Sequence, residues 1–250
     1  MAQTITLGSV LQSRESTYRM LARLYEREVD TGYLQKLRAM RCPVNTGNAD
    51  VDEGYRLFHR YLSRLWERSL EDLQRDYLRV FIGANTTGHA AAYPNESVHT
   101  SPLRMVMQDA RDEVIEAYRA AGLETSSKWN VGEDHISLEL TYLAIMGKRA
   151  SEAYAKGKRS DCATLLMAQY RFLMDHLQNW IGFLTHDMLK FAQTDFYRAL
   201  AYLTQGVLDE DQAFLETVLE EELALERELQ AQSDAGEALE DSKREESVAV

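Results

Sequence analysis

Only three prolines, Pro43, Pro94 and Pro102, interrupt a chain of 250 residues. A proline ring removes a backbone donor and clashes with the preceding helical turn, so a chain with so few is free to be helical almost throughout. Leu, Ala, Glu, Arg and Met, the strong helix formers, are abundant. Apolar residues recur at three- and four-residue steps, the period of one helix face. Leu11, Tyr18, Leu21, Ala22 and Tyr25 mark a helix over 10–28, and a second covers Gly32 to Met40. Tyr55, Phe58, Tyr61, Leu62, Leu65 and Trp66 make an aromatic stripe on the next. Leu70, Leu73, Tyr77, Val80 and Phe81 continue on another, closed by Gly83. These patterns predict an all-α fold, a single-domain helical bundle over residues 1–228.

Two stretches break the pattern. Over 84–100, Gly88, the small residues 90–92 and Pro94 leave no helical period. Ser101-Pro102 then predicts a helix start, serine as N-cap and proline in the first turn, with Leu103, Val106, Ala110, Val114, Ala117 and Tyr118 on its buried face. A second irregular stretch, 124–132, ends at Asp134, where Ile136, Leu140, Leu143, Gly147 and Ala150 resume the stripe. Residues 161–190 form the most apolar helix, with Trp180 and Trp66 both assigned to the core. Phe196, Leu200 and Leu203 form another, with a break at Gly206, and Asp211 to about Glu228 is a last amphipathic helix. Beyond it the composition, nearly devoid of large apolar residues, predicts a disordered acidic tail over 229–250. No internal repeat is present.

Charge is unevenly placed. From Asp209 onward there are 15 acidic against 3 basic residues, a net of −12, so residues 1–208 balance at zero. No basic face is available, which argues against nucleic acid as a partner. The acidic end attracts a basic peptide at long range. Cys42 and Cys162 stand in no metal-ligand or CxxC spacing and read as reduced thiols. The first residues lack a basic region followed by an apolar run, and no window approaches a membrane span. A cytoplasmic protein without stable membrane insertion is the expectation.

Phosphate loops, dinucleotide fingerprints, HExxH and GxSxG are absent. Polar residues instead gather at the two loop–helix junctions, the usual seat of recognition. Asp134 stands where its carboxylate would cap the helix that follows, favoured by the macrodipole. His135 and Glu139 share an i, i+4 face, which offers two metal ligands and no third nearby. Glu96, Ser97 and His99 supply an acid, a nucleophile and a base, but within four positions of one loop they lack the reach of a triad. His176, inside an apolar stripe, reads as a hydrogen-bonded core histidine. No catalytic residue, metal site or cofactor is assigned.

Taken in order, several segments resemble the TorD/DmsD family of chaperones that serve molybdenum-containing redox enzymes. Arg14 to Tyr25 is similar to the family's opening "R…Y..L..LY" helix, and Asp76 to Gly83 to its "DY..LF.G" segment. Tyr93-Pro94-Asn95-Glu96-Ser97-Val98-His99 resembles its "P-Y-E-S-V-Y" loop. Gly132-Glu133-Asp134-His135-Ile136, with Glu139-Leu140, resembles its "E-P-x-D-H" signature, although Val131-Gly132 stands where the family carries Glu-Pro. His176-Leu177, Trp180 and Phe183 resemble its "HL..W…F" helix. The resemblance implies a non-enzymatic cytoplasmic chaperone. Its partners would be the twin-arginine signal peptide and the body of a molybdopterin-containing oxidoreductase subunit, held back from export until the cofactor is loaded. On that reading Asp134, His135, Glu96 and Ser97 contact the peptide, with Asp134 and Glu96 pairing to its arginines. Tyr77, Phe81 and Leu140 line a groove for its apolar stretch. Two alternatives are a metal- or nucleotide-dependent enzyme built on His135 and Glu139, and an adaptor acting through the acidic C-terminus, to be tested by truncation after Leu208. Monomer and domain-swapped homodimer both remain open, as does the identity of the client.

Overall fold

A computed structural model describes residues 6–83, 91–126, 129 and 131–248, the side chains of 226 and 228–248 excepted. The helix-breaking role expected of Gly88 and residue 90 lies outside these residues. Among the described residues the fold is all-α, with no strand. Ten helices follow in order: α1 Leu7–Glu26, α2 Thr31–Ala39, α3 Ala49–Leu62, α4 Ser69–Tyr77, α5 Glu96–Thr100, α6 Asp109–Ala120, α7 Ile136–Ala155, α8 Arg159–Phe172, α9 Gln178–Phe191 and α10 Asp195–Val248. Two π-helical turns, Leu78–Ile82 and Leu173–Leu177, extend α4 and join α8 to α9.

The bundle is organised by two long pairings, α1 along α7 and α3 along α10. Leu11, Tyr18, Leu21 and Tyr25 from α1 meet Leu140, Leu143 and Ala150 from α7 in one continuous buried core. The α3–α10 pair is closer than large side chains permit. A Cβ on Gly206 would stand 2.7 Å from Val51 Cγ2 and 2.8 Å from Val51 N, and one on Gly54 2.7 Å from Leu203 Cγ. Gly206 therefore does not end a helix as its sequence position suggests. It lies inside α10 and lets α3 approach, while the Asn48 side chain, which caps α3, donates to the Gly206 carbonyl at 3.2 Å. Gly206→Ala is expected to lower stability by about 1–2 kcal/mol through overpacking, despite alanine's better helix propensity. A denaturant midpoint unchanged from wild type would contradict that packing.

The family-like motifs at the start of the chain are structural ties. Arg14, buried on α1, pairs with Asp211 on α10 and donates to Gln169 on α8 at 3.1 Å, and the Tyr18 hydroxyl donates to Asp211 at 2.5 Å. Asp76, also buried, receives the backbone N–H of Gln193 and of Thr194, and so fixes the start of α10. Tyr77 donates its hydroxyl to the Tyr25 carbonyl at 3.0 Å.

Two further expectations need correction. The helix expected to open at Ser101-Pro102 begins at Asp109, with Gln108 as N-cap. The intervening segment is a loop in which Arg104 and Met107 take positive φ, 50° and 61°. Leu103 and Val106 are consequently exposed rather than buried. Trp66 lies beyond the end of α3 and is 58% exposed, whereas Trp180 is fully buried as expected. The backbone of α10 is helical to Val248.

Candidate functional site

The two irregular segments meet. Asn95 and His135 form an isolated antiparallel bridge. Glu96 N donates to the Asp134 carbonyl at 3.0 Å, and Ile136 N to the Pro94 carbonyl at 2.9 Å. Four of the candidate residues, Glu96, Ser97, Asp134 and His135, thus share one corner at the head of α7.

Asp134 caps a helix there, but not the expected one. Its carboxylate accepts from Ser97 N at 2.8 Å and from the Asn95 side-chain amide at 3.1 Å, so it satisfies the first turn of α5 across the corner. The N-cap of α7 is His135, whose Nδ1 accepts from Ser137 N at 3.2 Å and lies 2.8 Å from Ser137 Oγ. Gly132 is required by this arrangement, because a Cβ there would collide with the Asp134 carboxylate. This accounts for glycine at a position where a larger residue would push the loop outward. The loop is held from α6 by Arg111, which pairs with Glu133 at 2.5 Å, and by the Tyr118 hydroxyl, which donates to the Glu133 carbonyl. Ser97 Oγ accepts from Gln108 N at 3.1 Å and so anchors the 101–108 loop to the same corner.

Burial changes how these residues act. Asp134, Ser97, Glu96 and His135 are all buried, and both Asp134 oxygens are already engaged. The acid–nucleophile–base grouping is dispersed: Glu96 Oε2 pairs with His176 Nδ1 at 3.1 Å, and His99 Nε2 sits 2.8 Å from the Tyr93 carbonyl. The other candidates lie elsewhere. Tyr77 and Phe81 pack with Tyr25 and Tyr197 in an aromatic cluster, and Leu140 is core. All three side chains are buried in this structure. His135 and Glu139 do not share a ligand face, since His135 is turned to cap the helix. Among the described residues no three His, Cys, Asp or Glu side chains are grouped to hold a metal.

Burial also sets protonation. Desolvation lowers the His135 imidazole to about 4, against a small opposing pull from Asp134. Glu139, wholly buried, is pushed well above the ordinary carboxyl range by desolvation first and by the charges of Glu96 and Asp134 second. Desolvation likewise raises Glu96, with the His176 contact opposing it.

What faces solvent is the rim. A cleft of about 700 Å³ is walled by Glu96, Asp109, Glu113 and Asp175, with Asn179 and His99 beside them and no lysine or arginine in its lining. Asp109, Glu113 and Asp175 are exposed and have no ion-pair partner among the described residues. On one side lies the 101–108 loop with Leu103 (68% exposed), Met105, Val106 and Met107. On the other, His99 stacks on the buried Trp180 at 5.3 Å and under Phe183, which is 63% exposed. Sequence reading missed this rim because its acids come from α5, α6 and the π-helical turn, and because the 101–108 loop was assigned to a helix.

The family description "Nitrate reductase delta subunit" matches residues 47–186, more than half of the chain, and the chain belongs to that family. Similar curated proteins include "Chaperone protein TorD" of Shewanella pealeana, 23% identical over 231 residues, covering 87% of this chain and 96% of that one. The protein of the same name from Shewanella loihica is 25% identical over 204 residues, 78% of this chain and 89% of that one. That of Vibrio cholerae is 25% identical over 162 residues, 64% and 70% of the two chains. The likeness to TorD/DmsD chaperones read from the motifs is borne out by these matches. No described helix is long and apolar enough to cross a membrane.

Proposed function

We propose that this protein is a cytoplasmic, non-enzymatic chaperone that matures a molybdoenzyme by binding the twin-arginine signal peptide of its catalytic subunit before cofactor insertion and export. The family and the relatives named as chaperones support the class. The observation that carries the ligand is an acidic cleft with exposed Leu103 in its lining, flanked by the rest of the exposed 101–108 loop and by Phe183, which stacks on the cleft residue His99. A twin-arginine leader presents two guanidinium groups followed by an apolar stretch, and the rim offers carboxylates followed by apolar surface. Exposed apolar residues gathered beside a charged cleft mark an interaction surface, and Met is suited to varied apolar ligands. Burying the apolar stretch at about 25 cal/mol per Å² supplies most of the affinity, while the charged contacts set register and partner choice.

On this reading Asp134, His135 and Ser97 act one layer down. They hold α5 and the 101–108 loop so that Glu96 and the exposed acids together wall the cleft. Asp175→Lys and Glu113→Lys are each expected to weaken binding of a synthetic peptide with two adjacent arginines and an apolar tail about ten-fold, a loss of about 1.4 kcal/mol. Asp241→Lys in the C-terminal segment should leave it unchanged. Calorimetric titration of the full chain checks this; equal affinities for all three variants would remove the cleft as the site. Truncation after Leu208 is not a clean test of the C-terminal segment, because it removes Asp211 from Arg14 and Leu215, Val218 and Leu219 from the core. Truncation after residue 228 leaves those contacts in place.

A further inference from the structure

Behind the acidic cleft three carboxyl groups converge with one imidazole among them. Glu139 is fully buried on α7, where its carboxyl makes no well-formed hydrogen bond among the described residues but is faced by the Trp180 indole N–H and by Glu96. That indole, on α9, is itself buried and favours the ionised form of the Glu139 carboxyl. Glu96 faces Glu139 from α5 and is also a wall of the cleft. Asp134 acts on both from the corner, and Glu113 on Glu96 from α6. Tyr118, whose phenol interacts with all three acids, adds no positive charge. Among the described residues, His176 is the basic group in direct contact with the pair, through Glu96. Two carboxyls sharing a desolvated site resist double ionisation, so such a pair retains a proton. An apolar residue of Glu139's volume would avoid the burial of a polar group.

We propose that the cleft takes up its cationic ligand with release of a proton from the Glu96–Glu139 pair, making client capture dependent on pH. The inference rests on the reading of the cleft as the arginine site. A guanidinium seated beside Glu96 brings the positive charge that the pair lacks, and an opposite charge favours the ionised form. The carboxyl O–H bond breaks, the proton passes to solvent, and the electron pair stays on a carboxylate facing the cation. Release of one proton lets affinity rise by up to ten-fold per pH unit as pH increases.

The test is calorimetric titration of the full chain with a twin-arginine peptide blocked at both termini, so that no peptide group titrates near neutrality. Phosphate and Tris, which differ in ionisation heat, are compared at one pH, and affinity is followed from about pH 6 to about pH 8. Wild type should show a buffer-dependent heat equivalent to a released proton and a rising affinity. Glu139→Gln should bind with equal heats in the two buffers and a flat pH dependence. If Glu139→Gln does not fold, the wild-type comparison in the two buffers decides alone. Binding with no proton exchange in wild type, or undiminished release in folded Glu139→Gln, overturns the inference and leaves the proposed function standing. Absence of any binding overturns both.

Discussion

Asp134→Ala is expected to lower unfolding stability by about 3–4 kcal/mol and to abolish binding of a twin-arginine peptide, although Asp134 is out of a ligand's reach. The carboxylate satisfies two buried donors, the backbone N–H of Ser97 and the side-chain amide of Asn95. A hydrogen bond to a charged group contributes about 1.5–3 kcal/mol, and a buried donor left unpaired costs its full desolvation. Alanine removes both bonds and leaves α5 without its cap, so Glu96 and the 101–108 loop lose their anchor together. Asp134→Asn, which keeps an acceptor for Ser97 N, should lose about half as much. The contrast with Asp175→Lys separates scaffold from contact: Asp175 is exposed and unpaired, so its reversal should weaken the peptide with no shift in denaturant midpoint. Equal midpoints for Asp134→Ala and wild type would contradict the buried cap.

The helical class was legible because its determinants are local. Few prolines and a sustained three-and-four period act within a turn or two, and the stripes of α1, α7 and α9 pack as read. The helix expected at Ser101-Pro102 failed for a non-local reason: Gln108 N is claimed by Ser97 Oγ, and positive φ at Arg104 and Met107 keeps the segment open. Gly206 looked like a break because sequence spacing records a missing side chain and not the neighbour that requires its absence.

The candidate corner was legible as a place but not as an arrangement. Asp134 was recognised as a capping residue, yet which helix it caps depends on α5, whose five residues carry no period of their own. Glu96 and His176 are 80 positions apart, and their pairing exists only once α5 lies on the π-helical turn. The resemblance makes Tyr77 and Phe81 groove residues, and the structure packs them with Tyr25 and Tyr197; an aromatic stripe reads alike whether it meets a peptide or a neighbouring helix. The exposed acids Asp109, Glu113 and Asp175 carried no signal at all, since isolated surface carboxylates are ordinary in any sequence.

The buried titrating groups at the corner should tilt the pH profile of stability in opposite directions, and single substitutions should expose the two slopes. His135 is held neutral by burial, with its pKa lowered from 6.5 to about 4. Its stabilising effect is therefore complete above 6.5 and is lost as pH falls toward 4, a change of about 3 kcal/mol at 1.36 kcal/mol per unit. Protonation at Nδ1 also removes the acceptor that caps α7. Glu139 is displaced the other way, upward from 4.5. Its burial costs nothing extra below 4.5, and stability declines as pH rises from there toward its folded value, by about 1.4 kcal/mol per unit. Between about 4.5 and 6.5 the two slopes oppose each other. His135→Asn, which keeps an N-capping side chain, should leave the Glu139 slope uncovered, so that stability falls with rising pH across that window. Glu139→Gln should show the reverse, stability rising with pH and exceeding wild type near neutrality. Chemical denaturation at about pH 4.5, 5.5 and 6.5 measures both slopes, and parallel profiles for the two variants would show that neither group is displaced as its burial requires.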